Sequence, residues 1–256
     1  MTASMTVSPI IFLHIPKTAG QAVHRGLVRL VGGADQTSPV RTHTQAAATP
    51  QAQMPPGYRL YSGHLDWTSF DHLPAPRFVF TVLRDPRERI ASFYFYLQAE
   101  ARRLRAQGGL TEIEIGKIRA LDWTADAFFT GGDADWQSFV HDHFDNFYCS
   151  YFSTRQMRGH SLIAGLPEAE LQARAQAGLQ TLDAVYATPR LDLLESDLMQ
   201  RFGQRIALAD RYVNTGPHQR SELRWPKLMA LLRQDSSRQQ LEAFVRQDAA
   251  LLERIG

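Results

Sequence analysis

Short apolar runs alternate with amphipathic segments along the N-terminal part of the chain. Three runs rich in β-branched and aromatic residues predict strands over residues 9–15, 58–64 and 77–84. The last run is nearly continuous, which is typical of a parallel strand covered on both faces. Apolar positions at helical spacing predict helices over 21–31 and 86–105. This alternation predicts an α/β fold with a central parallel sheet flanked by helices.

The remaining residues are less regular. We expect a long loop over 34–57, where four prolines interrupt any period, and short helices and loops over 106–160. The C-terminal part predicts, in order, a helix over 167–181, a strand over 183–188, a helix over 191–202 ended by Gly203, and two helices within 221–255. The sequence shows no repeat and no linker. We therefore predict one domain over 1–256, with a nucleotide-binding core at 8–105, an acceptor-side insertion at 106–160, and the remaining core and C-terminal helices at 161–256.

Composition excludes several classes of protein. The chain has 256 residues, 44% hydrophobic and 21% charged, which is ordinary for a folded protein. A net charge of +2 argues against nucleic acid as the main partner. The single cysteine, Cys149, excludes an internal disulfide. The sequence predicts neither a membrane span nor a signal peptide, so we expect a soluble, cytoplasmic protein.

The turn after the first strand has the features of an anion site. Residues 14–20 read HIPKTAG, and a turn between a strand and its helix presents backbone N–H groups at the positive end of the helix dipole. Of the 28 basic residues only Lys17, Lys117 and Lys227 are lysines, which draws attention to Lys17. The order of Lys17 and Gly20 is not that of a Walker A loop. An ordinary turn with a basic residue is the alternative.

This segment resembles the 5′-phosphosulfate loop of carbohydrate-type sulfotransferases, which use 3′-phosphoadenosine 5′-phosphosulfate (PAPS). The resemblance implies a P-loop-like domain. It also implies donor contacts along the loop from Pro16 through Lys17, Thr18, Ala19, Gly20 and Gln21 to Ala22, with Lys17 acting in catalysis. Family members commonly have Ser or Thr after the glycine, whereas Gln21 and Ala22 follow here. One hydroxyl contact to the 5′-phosphate is then missing, unless Thr18 or Gln21 substitutes for it.

A second motif follows the third strand. Residues 84–92 read RDPRERIAS, with Arg84 at the strand end and Ser92 about two helical turns further on. The spacing resembles the 3′-phosphate segment of the same family, which implies that Arg84 and Ser92 bind that phosphate. The alternative is that Arg84 pairs with Asp85 or Glu88 and Ser92 fills the helix. Both motifs together imply a nucleotide phosphorylated at its 5′ and 3′ positions, and the resemblance covers about residues 9–97.

His64 is the candidate catalytic base. It ends the second strand in YSGH, at the sheet edge where both phosphate motifs lie, and imidazole titrates near neutral pH. The Gly-His pair resembles the catalytic segment of the uronyl (heparan-sulfate) 2-O-sulfotransferase branch. A histidine packed against a backbone partner is the alternative reading, and Asp66 and Asp71 are further candidate bases.

The remaining candidates lie in the second half of the chain. Arg155 either holds an anionic acceptor or the donor, or is a surface arginine. His141 and His143 either contact substrate or pack with Phe144 and Phe147. Asn214 and Arg220 flank a Gly-Pro loop of the kind that closes over the nucleotide in sulfotransferases.

These observations predict a sulfotransferase that moves a sulfuryl group from PAPS to a hydroxyl of a carbohydrate or small metabolite, releasing 3′,5′-adenosine bisphosphate. Members in the eukaryotic Golgi carry a membrane anchor, so we expect a bacterial-type soluble relative here. We find no cluster of metal ligands in the sequence and expect no metal, no nucleic acid and no membrane partner. An ATP-dependent kinase and a non-catalytic nucleotide-binding module are the alternatives.

Overall fold

The computed structural model describes residues 8–208 and 223–255. Within these residues the chain divides into two compact units. The first contains residues 8–84, 155–157 and 177–208, and the second contains 85–154, 158–176 and 223–255. The expectation of a single domain stays a prediction.

The first unit is built on a four-stranded parallel sheet in the order β2-β1-β3-β4. The strands are β1 (Ile10–Leu13), β2 (Leu60–Gly63), β3 (Phe78–Leu83) and β4 (Ala184–Ala187). Each strand lies inside a run that the sequence predicts. Every residue of the first three strands is buried, as expected of parallel strands covered on both faces. The prediction of an α/β fold is confirmed.

Eleven α-helices occur in the described residues. In chain order they are α1 (Gly20–Val31), α2 (Pro50–Gln53), α3 (Pro86–Ala106), α4 (Ile115–Asp122), α5 (Ala125–Thr130), α6 (Ala134–Phe144), α7 (Phe147–Thr154), α8 (Glu168–Leu179), α9 (Leu191–Phe202), α10 (Trp225–Leu231) and α11 (Asp235–Glu253). Asp85 caps α3 by accepting from the Glu88 N–H, with Pro86 in the first turn. Gly203, in the left-handed region, ends α9 as the sequence predicts. None of these helices is long and apolar enough to cross a membrane.

One face of the sheet is covered by α1 and α9. Val23 and Leu27 of α1 and Leu194 of α9 join the buried cluster that contains Phe12 and Phe80 of the neighbouring strands. The Phe12 and Phe80 rings stack with centroids 5.0 Å apart. This packing fixes where α1 begins relative to the carboxyl end of β1.

The strand order creates a switch point between β1 and β3. From β1 the chain crosses to β2 on one side, whereas from β3 it reaches β4 on the other. In open parallel sheets, ligands bind at the carboxyl ends of the two strands that flank such a reversal. The HIPKTAG loop follows β1 and Arg84 follows β3, so both lie at this point.

The segment 34–57 is more ordered than the loop that the sequence predicts. It contains two 3-10 turns and α2, and it runs beside β2 with bridges from Thr37 to Leu60 and from Thr42 to His64. Gln53, which is 1% exposed, donates through its side-chain amide to the carbonyl of His43. Backbone and amide hydrogen bonds hold this segment, and such bonds leave no apolar period in a sequence.

The second unit has an aromatic core. Tyr94, Phe128, Phe129, Trp136 and Phe144 are among its buried members. These residues come from α3, α5 and α6, three of the helices in this unit. The expectation of short helices over 106–160 is confirmed.

The buried carboxylate of Asp248 on α11 holds the start of α7. Its two oxygens accept the backbone N–H groups of Tyr148 and Cys149 at 3.0 and 2.9 Å. Arg89 is 1% exposed, with its guanidinium 4.6 Å from the centre of the Phe147 ring. Burial raises the pKa of Asp248 to about 6, although both N–H groups and the Arg89 charge act against that rise.

Candidate functional site

The turn between β1 and α1 contains consecutive backbone N–H groups that have no hydrogen-bond acceptor in the described residues. Lys17 and Ala19 both have positive φ angles, 73° and 64°, and Ala19 caps α1 without a side-chain hydrogen bond. Across the described residues, the N–H groups of Thr18, Ala19, Gly20 and Gln21 donate to no protein acceptor. Such a concave run of N–H groups at a helix N-terminus attracts an anion. The geometry is that of an anion-binding turn.

Gly20 is required for a reason that the sequence does not reveal. A Cβ atom at this position would lie 1.7 Å from Nε2 of His14, so the imidazole occupies the space a side chain would need. His14 is 4% exposed and stacks on Phe12 with centroids 5.3 Å apart. Gly20 therefore lets the His14 ring pack under the loop.

The side chains of the loop differ in what they offer a ligand. Thr18 is fully buried and its hydroxyl donates to the carbonyl of Ile15 at 2.9 Å, so it cannot replace the missing hydroxyl contact. Ala22 is also buried, whereas Gln21 is exposed and Pro16 and Lys17 are partly exposed. Of the polar side chains at positions 16–22, Lys17 and Gln21 are therefore the ones accessible to solvent.

His64 lies beside this loop with its ring orientation fixed. Its Nδ1 is 2.6 Å from the carbonyl oxygen of His14, and the two imidazole centroids are 4.3 Å apart. Because a carbonyl only accepts hydrogen bonds, Nδ1 carries the proton and Nε2 keeps its lone pair. Within the described residues Nε2 makes no hydrogen bond.

The surroundings of His64 keep the imidazole neutral. Burial lowers the pKa of His64 to about 4, the bond to His14 opposes that shift, and the charges of Arg41 and Lys17 add to it. Burial also lowers the pKa of His14 well below its usual value. At neutral pH both rings are uncharged, so Nε2 of His64 can accept a proton.

Arg41 is a cation beside His64 that no sequence pattern indicates. Its guanidinium contacts the ring of His24 on α1, and His24 Nδ1 lies 3.0 Å from the hydroxyl of Ser62. Gly63 permits the approach, because a Cβ there would lie 2.3 Å from the Arg41 carbonyl. Burial followed by the Arg41 charge lowers the pKa of His24 to about 4. The sequence contains many arginines, and Arg41 stands out from them through the pairing of its segment beside β2.

Arg84 reaches the loop from the end of β3. Its Nη1 lies 3.5 Å from the carbonyl oxygen of Lys17. The structure therefore brings Arg84, Lys17 and His64 to one edge of the sheet, as the sequence predicts. Their roles stay predictions.

Arg155 and Asp66 are engaged within the first unit. Arg155 donates to the carbonyl of Thr68 at 3.0 Å, and its guanidinium lies 5.0 Å from the centre of the Trp67 ring. Asp66 accepts the N–H of Met157 at 2.8 Å. Asp71 is exposed and accepts from Ser69 in a surface turn. These contacts are structural and favour neither carboxylate as a base.

Three candidates belong to the second unit. Ser92 is buried in α3, at 8% exposure. His143 stacks on Phe139 with centroids 4.2 Å apart, which is the packing alternative. His141 pairs with Asp145. Asn214 and Arg220 lie outside the described residues.

A group of metal-ligand side chains occurs where the sequence analysis finds none. Donor atoms of His141, Asp145 and His160 lie within 4.8 Å of one another. His160 is separated from Asp145 by 14 residues in the sequence, and this separation is not one that indicates a metal site. This observation corrects the expectation that the chain lacks such a cluster.

The structure is that of an α/β protein with a turn of unpaired N–H groups at the switch point of a parallel sheet and a neutral histidine at the end of the neighbouring strand β2. A family model described as the sulfotransferase family matches residues 5–141. The match covers more than half of the chain, and the chain belongs to that family. No curated protein matches the sequence.

Proposed function

We propose that the protein transfers a sulfuryl group from PAPS to a hydroxyl of a carbohydrate or small metabolite and releases 3′,5′-adenosine bisphosphate. The observation that carries the proposal is the meeting of three features at one sheet edge. These are the four unpaired N–H groups at the start of α1, Arg84 beside Lys17, and the lone pair on His64 Nε2. Sulfotransferases generally use PAPS, which requires sites for two anionic groups.

The donor would bind through the loop and Arg84. The N–H groups of residues 18–21 and the ammonium of Lys17 bind the 5′-phosphosulfate, because both supply positive charge to phosphate oxygens. Arg84 supplies a forked set of donors for the 3′-phosphate. The proposed contribution of Ser92 rests on the motif alone.

The transfer step is an in-line displacement at sulfur. The acceptor hydroxyl oxygen forms the new S–O bond while the bond from sulfur to the bridging phosphate oxygen breaks. His64 Nε2 takes the hydroxyl proton and later returns it to solvent. Lys17 and the loop N–H groups stabilise the charge that develops on the leaving phosphate oxygens. The N–H groups of residues 18–21 need no reorganisation for this, since they donate to no protein acceptor in the described residues.

The position of His64 directly after Gly63 supports a mechanism like that of the uronyl 2-O-sulfotransferase branch. The acceptor need not be a glycosaminoglycan, and we propose a bacterial-type enzyme. Arg41 adds a second cation beside His64, so an acceptor bearing a carboxylate or sulfate would be favoured over a neutral one.

The first experiment measures thermal stability with 3′,5′-adenosine bisphosphate and, separately, with ATP plus Mg²⁺. A ligand at 100 times its Kd stabilises the folded state by about 2.7 kcal/mol. We expect this stabilisation with the bisphosphate, and its loss in Arg84→Ala and Lys17→Ala. Arg77→Ala is the matched control, because Arg77 precedes β3 whereas Arg84 follows it.

The second experiment separates binding from turnover. His64→Gln should bind the bisphosphate normally and lose about 10²–10⁴-fold in the rate of sulfuryl transfer to a panel of hydroxyl acceptors. Unchanged transfer in that variant overturns the role of His64. Stabilisation by ATP alone favours a kinase, and bisphosphate binding without transfer to any acceptor favours a non-catalytic binding module.

A further inference from the structure

Three side chains of the second unit converge on one point. His141 lies in the last turn of α6, Asp145 follows that helix, and His160 begins a 3-10 turn. His141 Nδ1 is 2.8 Å and His160 Nε2 is 3.1 Å from the same oxygen, Oδ2 of Asp145. The two imidazole rings stack with centroids 4.6 Å apart. Two histidines therefore present a nitrogen to one carboxylate oxygen.

Both the types of donor and the distances suit a borderline-soft divalent cation. Two imidazole nitrogens and a carboxylate oxygen are common zinc ligands, and hard cations such as Mg²⁺ prefer oxygen alone. With metal–ligand distances of about 2.0–2.2 Å, tetrahedral ligands lie about 3.4 Å apart. The two observed separations, 2.8 and 3.1 Å, are shorter than that value by about 0.6 and 0.3 Å. Small side-chain shifts would accommodate an ion.

The carboxylate is held in place by a further set of contacts. The other oxygen of Asp145, Oδ1, accepts from the side-chain amide of Asn146 at 2.8 Å. Asn146 has a φ of 41°, and its amide oxygen accepts the N–H of Gln247 on α11 at 2.8 Å. The third residue of the cluster, His160, is held by Asp142, whose side chain accepts the His160 backbone N–H at 3.1 Å. Such outer contacts orient metal ligands in known sites.

The cluster is also open to an entering ion. The side chains of His141, Asp145 and His160 are 32%, 17% and 22% exposed. The ring of Phe244 packs against His141 at 5.4 Å and covers one side. One side is therefore apolar, and all three side chains remain partly accessible to solvent.

We propose that His141 Nδ1, Asp145 Oδ2 and His160 Nε2 form a three-ligand site for Zn²⁺, with water in the fourth position. On binding, Zn²⁺ would take the place of any hydrogen on the imidazole nitrogens that face the carboxylate, and that proton would move to the other ring nitrogen or to water. The ion would link the end of α6 to the turn at His160 and so cross-link the two ends of the chain segment that contains α7. This proposal does not depend on the proposed sulfuryl transfer.

The test is calorimetric titration of the untagged, chelator-treated protein with Zn²⁺, with Mg²⁺ as a comparison. We expect one equivalent of Zn²⁺ to bind and to raise the Tm, and Mg²⁺ to do neither. His160→Gln and Asp145→Asn should each weaken Zn²⁺ binding by about 100-fold or more, since outer-shell changes alone cost about 10–100-fold. His143→Gln is the matched control, two residues from His141 on the same helix.

Folding of each variant is checked by its Tm in the presence of chelator, where all four proteins should unfold cooperatively. Loss of Zn²⁺ binding in both ligand variants, with retention in His143→Gln, supports the site. Absence of binding to the wild type, or equal binding by all four proteins, overturns it and leaves a hydrogen-bonded His–Asp–His cluster only.

Discussion

The acid limit of activity tests the assignment of His64 as the base. A free histidine titrates near pH 6.5, but burial and the Arg41 and Lys17 charges lower the pKa of His64 to about 4. Protonation removes the lone pair on Nε2, so activity should be lost only as the pH falls through that lower value. At pH 5.5, a pKa of about 4 leaves roughly 97% of the imidazole neutral, against roughly 9% for a pKa of 6.5. The two cases differ about tenfold.

The assay is kcat/KM for the donor between pH 4 and 8, which reports groups of the enzyme before the donor binds. We expect a plateau from neutral pH down to about 5 and a fall below it. The acid limb of the kcat profile should lie at a higher pH than that of kcat/KM. The bound phosphosulfate places negative charge near the His64 ring and so raises its pKa. Arg41→Met should also move the kcat/KM limb upward, while Arg29→Met on the exposed side of α1 should not. An acid limb of kcat/KM near pH 6.5 in the wild type contradicts the assignment of His64 as the base.

Three further changes have defined outcomes. Gly20→Ala forces a Cβ against His14 and should destabilise the protein by about 1–3 kcal/mol and weaken bisphosphate binding, whereas Gly109→Ala, with nothing closer than 3.8 Å, should be neutral in thermal unfolding. Asp248→Ala leaves the buried N–H groups of Tyr148 and Cys149 without their acceptor and removes the negative charge near Arg89, so chemical denaturation should show a loss of about 3–5 kcal/mol in the free energy of unfolding. A loss below about 1 kcal/mol contradicts the role of this carboxylate. The pKa of His64 is lower in the folded than in the unfolded protein, so the neutral ring's contribution to folding stability is present above pH 6.5 and is lost as the pH falls toward 4. Between pH 6.5 and 4, the free energy of unfolding should therefore fall less steeply in His64→Gln than in the wild type.

The strands and the helices around the sheet follow directly from the sequence. The run from Phe78 to Leu83 is apolar on both faces, and Asp85-Pro86 is a strong start signal for a helix. These features depend on burial and local capping, and both can be recognised from residue types along the sequence. The convergence of Lys17, His64 and Arg84 was also predictable, because the carboxyl ends of parallel strands meet at one edge.

The remaining features depend on contacts between distant residues. Arg41 reaches the site because backbone hydrogen bonds run beside β2, and no periodicity marks such a path. The role of Gly20 depends on the position of the His14 ring, six residues earlier. His160 joins His141 and Asp145 only through folding of the segment between them.

The segment beside β2 also bears on how the protein avoids self-association. β2 lies at one side of the sheet, where unpaired N–H and C=O groups would offer a template for strands of other chains. The N–H of Ser38 donates to the carbonyl of Leu60, and the carbonyl of Arg41 accepts the N–H of His64. Both ends of that strand's outer side are thereby paired within the chain. Residues 37–42 therefore cover this edge of the sheet. A redesign of the segment that moves Arg41 would also expose β2 to pairing with strands of other chains.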